Sequence, residues 1–365
     1  MITARAAVLL DAGAEPQLTD VAIRQPIEDE VLVRIDAVGV CHTDVSVAAR
    51  WPTRRLPMVF GHEGAGTVAA VGPHSGMAVG QQVVLTFASC GRCVNCVAGN
   101  PAYCERSTDL NMRGDNRDHR SALRHDGDPI TGGFFGQSSF ATYALSRPAN
   151  TVVLTEPIEP AVAAPLGCSV QTGVGTVLNS LAPQSRDAVV VFGVGAVGLS
   201  VVMGARIAGC RTIIAVDPVA QRRALASDLG ATANLDPTST DTATTIVELT
   251  NGGAAYAVDT TAIPDVLATA VEVLRACGTL ALVGLGARSA ELPVGHIMGK
   301  GLTVRGVVEG DSNPHTFIPY LVDLWRSGEL PLDKLITTYD FEDFSVAWDA
   351  AKTGRAVKPV LITRR

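Results

Sequence analysis

The sequence predicts an α/β protein in which a doubly wound parallel sheet is joined to a β-rich domain braced by a small metal lobe. Three observations carry that prediction. From Asp187 onward buried strands alternate with helices, and the first turn reads Gly193-x-Gly195-x-x-Gly198. Short strands punctuated by Gly and Pro precede residue 90, and four cysteines at 90, 93, 96 and 104 fall inside fifteen residues. At 365 residues, 47% hydrophobic and 18% charged, the chain is long enough for two cored domains and too apolar for a disordered one. The net charge of −7 argues against nucleic acid or an anionic membrane surface as a partner.

Taken in order, strands are expected at 6–10, 30–40, 65–72 and 80–87, the pattern of a small β-barrel-like domain. Among them, Cys41-His42-Thr43-Asp44 and Gly61-His62-Glu63 supply a thiol, an imidazole and a carboxylate, a donor set suited to zinc. On these residues alone, a buried Cys and a satisfied His in a glycine-rich loop reads equally well. The N-terminus gains charge too early for a secretory signal, so a cytoplasmic protein is expected. Its eight cysteines then point to metal or redox chemistry rather than disulfides. Cys90-x2-Cys93-x2-Cys96-x7-Cys104 suits a closed tetrahedral zinc that staples a loop too small to own a core. Local disulfides or an iron–sulfur cluster are the alternatives.

Residues 105–139 read as a polar surface loop, with His119 and His125 solvated. Phe134, Phe135 and Phe140 follow, either as core or as a substrate wall. Cys168 lies in a Gly-flanked turn entering a helix over 173–179, where a small buried thiol is the simpler reading. The charge-free run Ala188 to Ala205 approaches membrane-span length, but its four glycines and strand-like start predict a buried strand leading into a helix.

That strand, 188–192, precedes the glycine turn, and the second strand ends in Asp217, nineteen residues after Gly198. In this context the motif predicts dinucleotide binding. Gly193 allows the tight turn, Gly195 lets a pyrophosphate approach the backbone, and Gly198 lets the helix pack on the strand. The helix N-terminus, from Val197, faces the phosphates. Asp217 accepts from adenosine ribose hydroxyls and repels a 2′-phosphate, favouring NAD over NADP. Strands at 231–235, 254–259, 278–285 and 301–307 complete six, with helices near 242–250 and 265–275. Cys210 and Cys277 fall at element edges as bystanders. Helices near 314–327 and 342–353 precede a strand at 358–363 that returns to the first domain. The expected division is 1–169 with 308–365, and 170–307.

With these motifs assembled, the chain resembles the zinc-dependent medium-chain alcohol dehydrogenases over its whole length. Pro165-Leu166-Gly167-Cys168, Gln171-Thr172-Gly173 and the run 134–143 look most like the aryl (benzyl) alcohol branch. The resemblance implies a GroES-like catalytic domain, a Rossmann domain and two zinc ions per chain. A catalytic zinc takes Cys41, His62 and Cys168 and leaves one open position, and a structural zinc takes Cys90, Cys93, Cys96 and Cys104. Glu63 is a nearby or transient ligand, Asp44 orients His62, and Thr43 takes the alcohol proton. His42 and Lys358 lie near the pyrophosphate, Arg222 beside the adenosine, and Thr172, Val283 and Gly284 beside the nicotinamide. Ser46 departs from the family, which often has a proton-passing histidine there. A serine cannot act as a base near neutral pH, so the proton leaves through His42 or through water.

The implied reaction is reversible oxidation of a primary alcohol, aryl or allylic, to an aldehyde with NAD+, in a homodimer paired through the strand near 301–307. One rival on the same scaffold is thiol-dependent formaldehyde oxidation, for which Arg113, Arg117 and Arg120 would bind the thiol's carboxylates. A non-catalytic NAD-binding or redox-sensing protein is the other. Joint retention of Cys41, His62, Glu63 and Cys168 speaks against it.

Overall fold

The computed structural model describes residues 1–114 and 121–363 as two compact units. The segment 115–120, with Arg117, His119 and Arg120, lies outside the described residues.

The first unit comprises Met1–Cys168, Asn313–Asp323 and Leu335–Arg365. Its framework is a seven-stranded sheet centred on Val31–Gly39, which pairs with Glu63–Val71, Tyr143–Ser146 and the terminal strand Lys358–Ile362. Val31, Val33 and Ile35 are buried on one side of that central strand, but so is Leu32 on the other. Burial of both faces explains why the sequence alternates only partly there. A second sheet of five strands is built on Ile2–Leu9 and Gln17–Ile23. Phe60, Phe134, Phe140, Phe344 and Trp348 lie in the core, and Phe140 meets Phe344 edge-on with ring centroids 5.2 Å apart. Phe134 and Phe140 are therefore core residues.

The expected surface loop at 105–139 contains more structure than its polarity implies. Thr108–Met112 forms a helical turn, and Leu123–His125 and Asp128–Ile130 form a hairpin that extends the five-stranded sheet. Asp126 and Gly127 both take positive φ, 51° and 89°, as a two-residue hairpin turn requires. Leu123 and Ile130 give the hairpin its buried side. His125 is held on that hairpin with Nδ1 3.2 Å from the Asp20 carbonyl oxygen, so it is not the freely solvated residue expected.

The second unit comprises Ser169–Ser312 and Leu324–Lys334. Residues 169, 308–312 and 324–334 therefore group with the parallel sheet rather than with the β-rich domain as anticipated. The six strands run in the order Ala233–Leu235, Thr212–Val216, Ala188–Phe192, Ala254–Asp259, Leu274–Leu282 and Thr303–Gly306, all parallel. This 3-2-1-4-5-6 order is the doubly wound dinucleotide arrangement, with its switch point beside Ala188–Phe192. The charge-free run resolves into that strand and the helix Ala196–Ile207. Among the described residues no single helix is long and apolar enough to cross a membrane.

Candidate active site and cofactor turn

Cys41 closes the central strand's end and begins the helix His42–Ala48. Asp44, fully buried in that helix, gathers the neighbouring loop. Its Oδ2 accepts the Cys41 N–H at 3.1 Å, and its Oδ1 accepts the Gly61 N–H at 3.1 Å. Oδ1 also lies 2.9 Å from His62 Nδ1. That contact fixes which imidazole nitrogen faces the carboxylate and turns Nε2 the other way. Nε2 is buried and has no hydrogen-bond partner in the protein. A buried, unpartnered nitrogen is costly unless something else binds it.

What it meets is a donor cluster. One ligand atom from each of Cys41, His62, Glu63 and Cys168 lies within 4.8 Å of every other. Cys168 arrives from a turn in which Gly167 is obligatory, since a Cβ there would sit 2.1 Å from the Leu85 carbonyl oxygen. Two thiols and an imidazole with a carboxylate alongside are a zinc donor set, and the orphaned Nε2 is an atom zinc would satisfy. A hydrogen bond from Cys168, reinforced by the Lys358 and His62 charges, pulls the Cys41 thiol well below its usual range against the cost of burial. Burial opposes a charge on His62, but Asp44 and Cys41 hold its pKa well above the usual value.

Lys358 sits elsewhere than expected. Instead of facing a cofactor phosphate, its ammonium is 2% exposed and donates to both Glu63 carboxylate oxygens at 2.9 and 2.8 Å. The terminal strand brings it there by pairing antiparallel with Val31–Gly39, so residues 295 apart in sequence meet. Gly39 makes room for the pair, because a Cβ would lie 2.0 Å from Glu63 Oε2. Burial disfavours the Lys358 charge, yet the Glu63 carboxylate and the Cys41 thiolate raise its pKa, and the ammonium stays protonated.

Two further side chains complete the surroundings: Phe135, read from the sequence as core or substrate wall, and Gln137, to which no role was given. Phe135 stacks on the His62 ring with centroids 4.6 Å apart and planes 29° from parallel. It does so from a backbone φ of 51°, a conformation bulky residues rarely take. Gln137, 2% exposed, donates to the His62 carbonyl oxygen at 2.9 Å and to that of Thr86 at 3.2 Å, and accepts the Gly64 N–H at 3.2 Å. Its place in the run 134–143 was the available signal, but a lone Gln there names no partner. Thr43 and Ser46 follow on the same helix, both half-buried, and His42 is exposed.

The four-cysteine lobe is separate. Its Sγ atoms lie within 4.8 Å of one another, with Cys93 and Cys96 at 3.5 Å and Cys90 and Cys96 at 4.0 Å, well beyond a disulfide bond. Backbone N–H groups of Cys93 and Arg106 point at the sulfurs of Cys90 and Cys104. Such donors, first among them the Arg92 N–H, bring the Cys90 thiol down to about 6. Burial and the neighbouring Cys93 push Cys96 up to about 12. Among the described residues only Ala88, Cys104 and Leu110 form a buried core here, too little to hold the lobe unaided.

In the second unit Gly193 takes φ +81°, and a Cβ on Gly198 would fall 1.9 Å from the Gly193 carbonyl oxygen. Gly195 differs: a Cβ there would meet nothing of the protein, which leaves a cradle open beside the helix that carries Val197. Asp217 accepts the Val194 and Val219 N–H groups at 2.9 and 2.8 Å, and Arg222 approaches it at 3.8 Å. Each carboxylate oxygen keeps acceptor capacity for a ribose hydroxyl. Val283 and Gly284 both donate to the Asp259 carbonyl oxygen. Thr172 lies on the helix Ser169–Gly175, whose Gly173 packs on Ala196–Ile207.

A zinc-binding β-rich domain and a dinucleotide sheet in one chain define a zinc-dependent dehydrogenase. Residues 27–156 match the alcohol dehydrogenase GroES-like domain, and residues 196–326 match the zinc-binding dehydrogenase family. The chain is 42% identical over 366 residues to the geraniol dehydrogenase of Castellaniella defragrans, covering 99% of this chain and 98% of that one. The crystal structure of benzyl alcohol dehydrogenase from Acinetobacter calcoaceticus matches with a TM-score of 0.95 at 39% identity over 100% of both chains. S-(hydroxymethyl)glutathione dehydrogenase of Paracoccus denitrificans is more distant, at 30% over 374 residues, 98% of this chain and 99% of that one. The chain belongs to the zinc-dependent medium-chain alcohol dehydrogenases, and it is an enzyme that oxidises alcohols with zinc and NAD.

Proposed function

We propose that this enzyme oxidises aryl or allylic primary alcohols to aldehydes, with Cys41, His62 and Cys168 holding the catalytic zinc and Cys90, Cys93, Cys96 and Cys104 a structural one. The observation that carries the metal assignment is the buried, unpartnered His62 Nε2 among two thiols. Zinc there supplies a Lewis acid that lowers an alcohol's pKa, and NAD+ supplies the hydride acceptor. Asp44 holds His62 in one tautomer so that Nε2 offers its lone pair. Thr43 receives the alcohol proton. Ser46, three residues further along the helix, extends the hydrogen-bond path without acting as a base. The exposed His42 is the nearest titratable residue in sequence that can hand the proton to water.

Three features support the substrate class: the flat Phe135 face beside His62, the likeness to a geraniol dehydrogenase and the likeness to a benzyl alcohol dehydrogenase. Arg113, proposed for the thiol-adduct rival, instead pairs with Asp109 at 2.9 Å. On the cofactor side, Gly193, Gly195, Val197 and Gly198 cradle the pyrophosphate. Asp217 and Arg222 hold the adenosine, and Thr172, Val283 and Gly284 hold the nicotinamide. A homodimer joined through Thr303–Gly306 fits that strand's position at the sheet edge, with Val294 and Met298 more than 70% exposed in the helix before it. A cytoplasmic location fits the use of thiols as metal ligands.

The test measures kcat/KM for NAD+ reduction with benzyl alcohol, geraniol, ethanol, a long-chain alcohol and a hydroxymethyl-thiol adduct, with zinc counted per chain. Two zinc ions and preference for benzyl alcohol or geraniol are expected. A lead for ethanol or the thiol adduct overturns the substrate reading, and one zinc per chain overturns the metal assignment.

A further inference from the structure

Asp44 couples two of the three zinc donors, since it holds the Cys41 N–H, the Gly61 N–H and the His62 ring. The third donor, Cys168, enters from a turn far along the chain, so its spacing from His62 needs a separate cause. A second hydrogen-bonded path supplies one. It starts at the His62 backbone, passes through the Gln137 amide and Thr86, and ends at Gly167, the residue before Cys168.

Every link of that path is buried. Gln137 Nε2 donates to the His62 carbonyl oxygen at 2.9 Å and to the Thr86 carbonyl oxygen at 3.2 Å. Two carbonyl oxygens cannot bond one another, and the amide joins them because its nitrogen carries two donors. Thr86 is fully buried, and its hydroxyl donates to the Gly167 carbonyl oxygen at 2.8 Å. The missing Cβ of Gly167 lets that turn lie against the Leu85 carbonyl, one residue before Thr86.

The Gln137 end is fixed as well. Its Oε1 accepts the Gly64 N–H at 3.2 Å, and a Cβ on Gly64 would lie 3.1 Å from that oxygen and 2.7 Å from Ser139 Cβ. The residues that follow bind the chain leading into His62. Ser138 Oγ donates to the Val59 carbonyl oxygen at 2.6 Å, and the Ser139 and Phe140 N–H groups donate to Gly61 and Phe60 at 3.0 Å. A buried path of matched donors and acceptors holds one geometry, because each departure leaves a polar group unsatisfied away from water.

We propose that Gln137 and Thr86 are positioning residues for the first zinc site, fixing the spacing of His62 and Cys168 before the metal arrives. The donors then need little ordering when zinc binds, which raises its affinity. The inference rests on Cys41, His62 and Cys168 being the ligands, as proposed above.

The test starts from the zinc-loaded enzyme and measures zinc affinity at each site by competitive chelation. Cobalt placed in the first site reports donor geometry through its visible absorption. Thr86→Val removes only the hydroxyl; it should weaken zinc at the first site about tenfold, leave the four-cysteine site loaded and shift the cobalt absorption. Thr86→Ser, which keeps the hydroxyl, should restore both affinity and spectrum. Gln137→Met, close in volume but without donors, should act as Thr86→Val does. Because the links lie in series, the double variant should lose no more than the larger single effect. Should Gln137→Met fail to fold, the comparison of Thr86→Val with Thr86→Ser decides alone. Losses that multiply in the double variant, equal losses at both metal sites, or an unchanged affinity and spectrum in Thr86→Val overturn the proposal. One zinc ion per chain in the wild type would instead overturn the metal assignment beneath it.

Discussion

Replacing Lys358 by Met should be among the most damaging changes to the fold that leave every zinc-donor residue in place. The ammonium and the Glu63 carboxylate are 2% and 0% exposed and share contacts of 2.9 and 2.8 Å. Water screens neither, so the range of about 0–1 kcal/mol for exposed ion pairs does not apply. Removing one member of a buried pair leaves the other charge uncompensated, which costs about 3–5 kcal/mol. Here the orphaned carboxylate would also face the Cys41 thiolate, which places K358M toward the upper end. For a protein of this size the melting temperature should fall by roughly 4–7 °C. The assay is a double-mutant cycle by thermal and urea unfolding of wild type, K358M, E63Q and K358M/E63Q. Met with Gln removes both charges, so the double variant should recover at least about 2 kcal/mol over the sum of the singles. If K358M loses less than about 1 kcal/mol, or the cycle is additive, the pair is not the buried ion pair described here.

Asp44→Asn keeps the shape at position 44 but loses the charge that holds His62. Zinc affinity at the first site should fall about 10–100-fold while the four-cysteine site stays loaded, and competitive chelation followed by metal counting separates the two. Glu30 is held below the usual carboxylate range: burial alone would raise it, but Arg24, the Ile27 N–H and Arg147 outweigh that. A lowered folded pKa gives stability that is present above the unfolded value of about 4.5 and is lost as pH falls through the folded one. Glu30→Gln should therefore melt below wild type at pH 7, and the gap should narrow at pH 4; a gap that widens would reverse the assignment. Ser46→His should add a titrating group on the helix carrying Thr43, so the pH profile of kcat should change near pH 6–7. An untouched profile would show that the proton leaves by a route independent of this position.

The architecture was largely legible in the chain, and for local reasons. The parallel sheet announces itself through contiguous apolar runs, because strands covered on both faces need no polar side. The cofactor turn is readable because the steric demands on Gly193 and Gly198 act between residues a few positions apart. The four-cysteine lobe is equally local, its ligands lying in fifteen residues. The hairpin at Leu123–Ile130 escaped because its strands are only three residues each and one of them carries Pro129, while the Asp126-Gly127 signal stood inside a polar stretch.

The first zinc site shows where such reading stops. Cys41, His62 and Glu63 were visible as donors, yet an equally good loop core, until Cys168 joined them from more than a hundred residues away. Spacing cannot express that distance. Nor could the sequence assign Lys358 to Glu63, since the pairing depends on the terminal strand docking antiparallel beside Val31–Gly39 and on the gap left at Gly39. Phe135 on His62, Gln137 across the two loops and Glu309 against Thr172 are likewise products of packing. The chain by itself determined which donors and which cofactor turn exist, because those depend on residue type and short spacing. Only the tertiary structure decided which charges face one another, because burial and long-range strand pairing set both their distance and the absence of water between them.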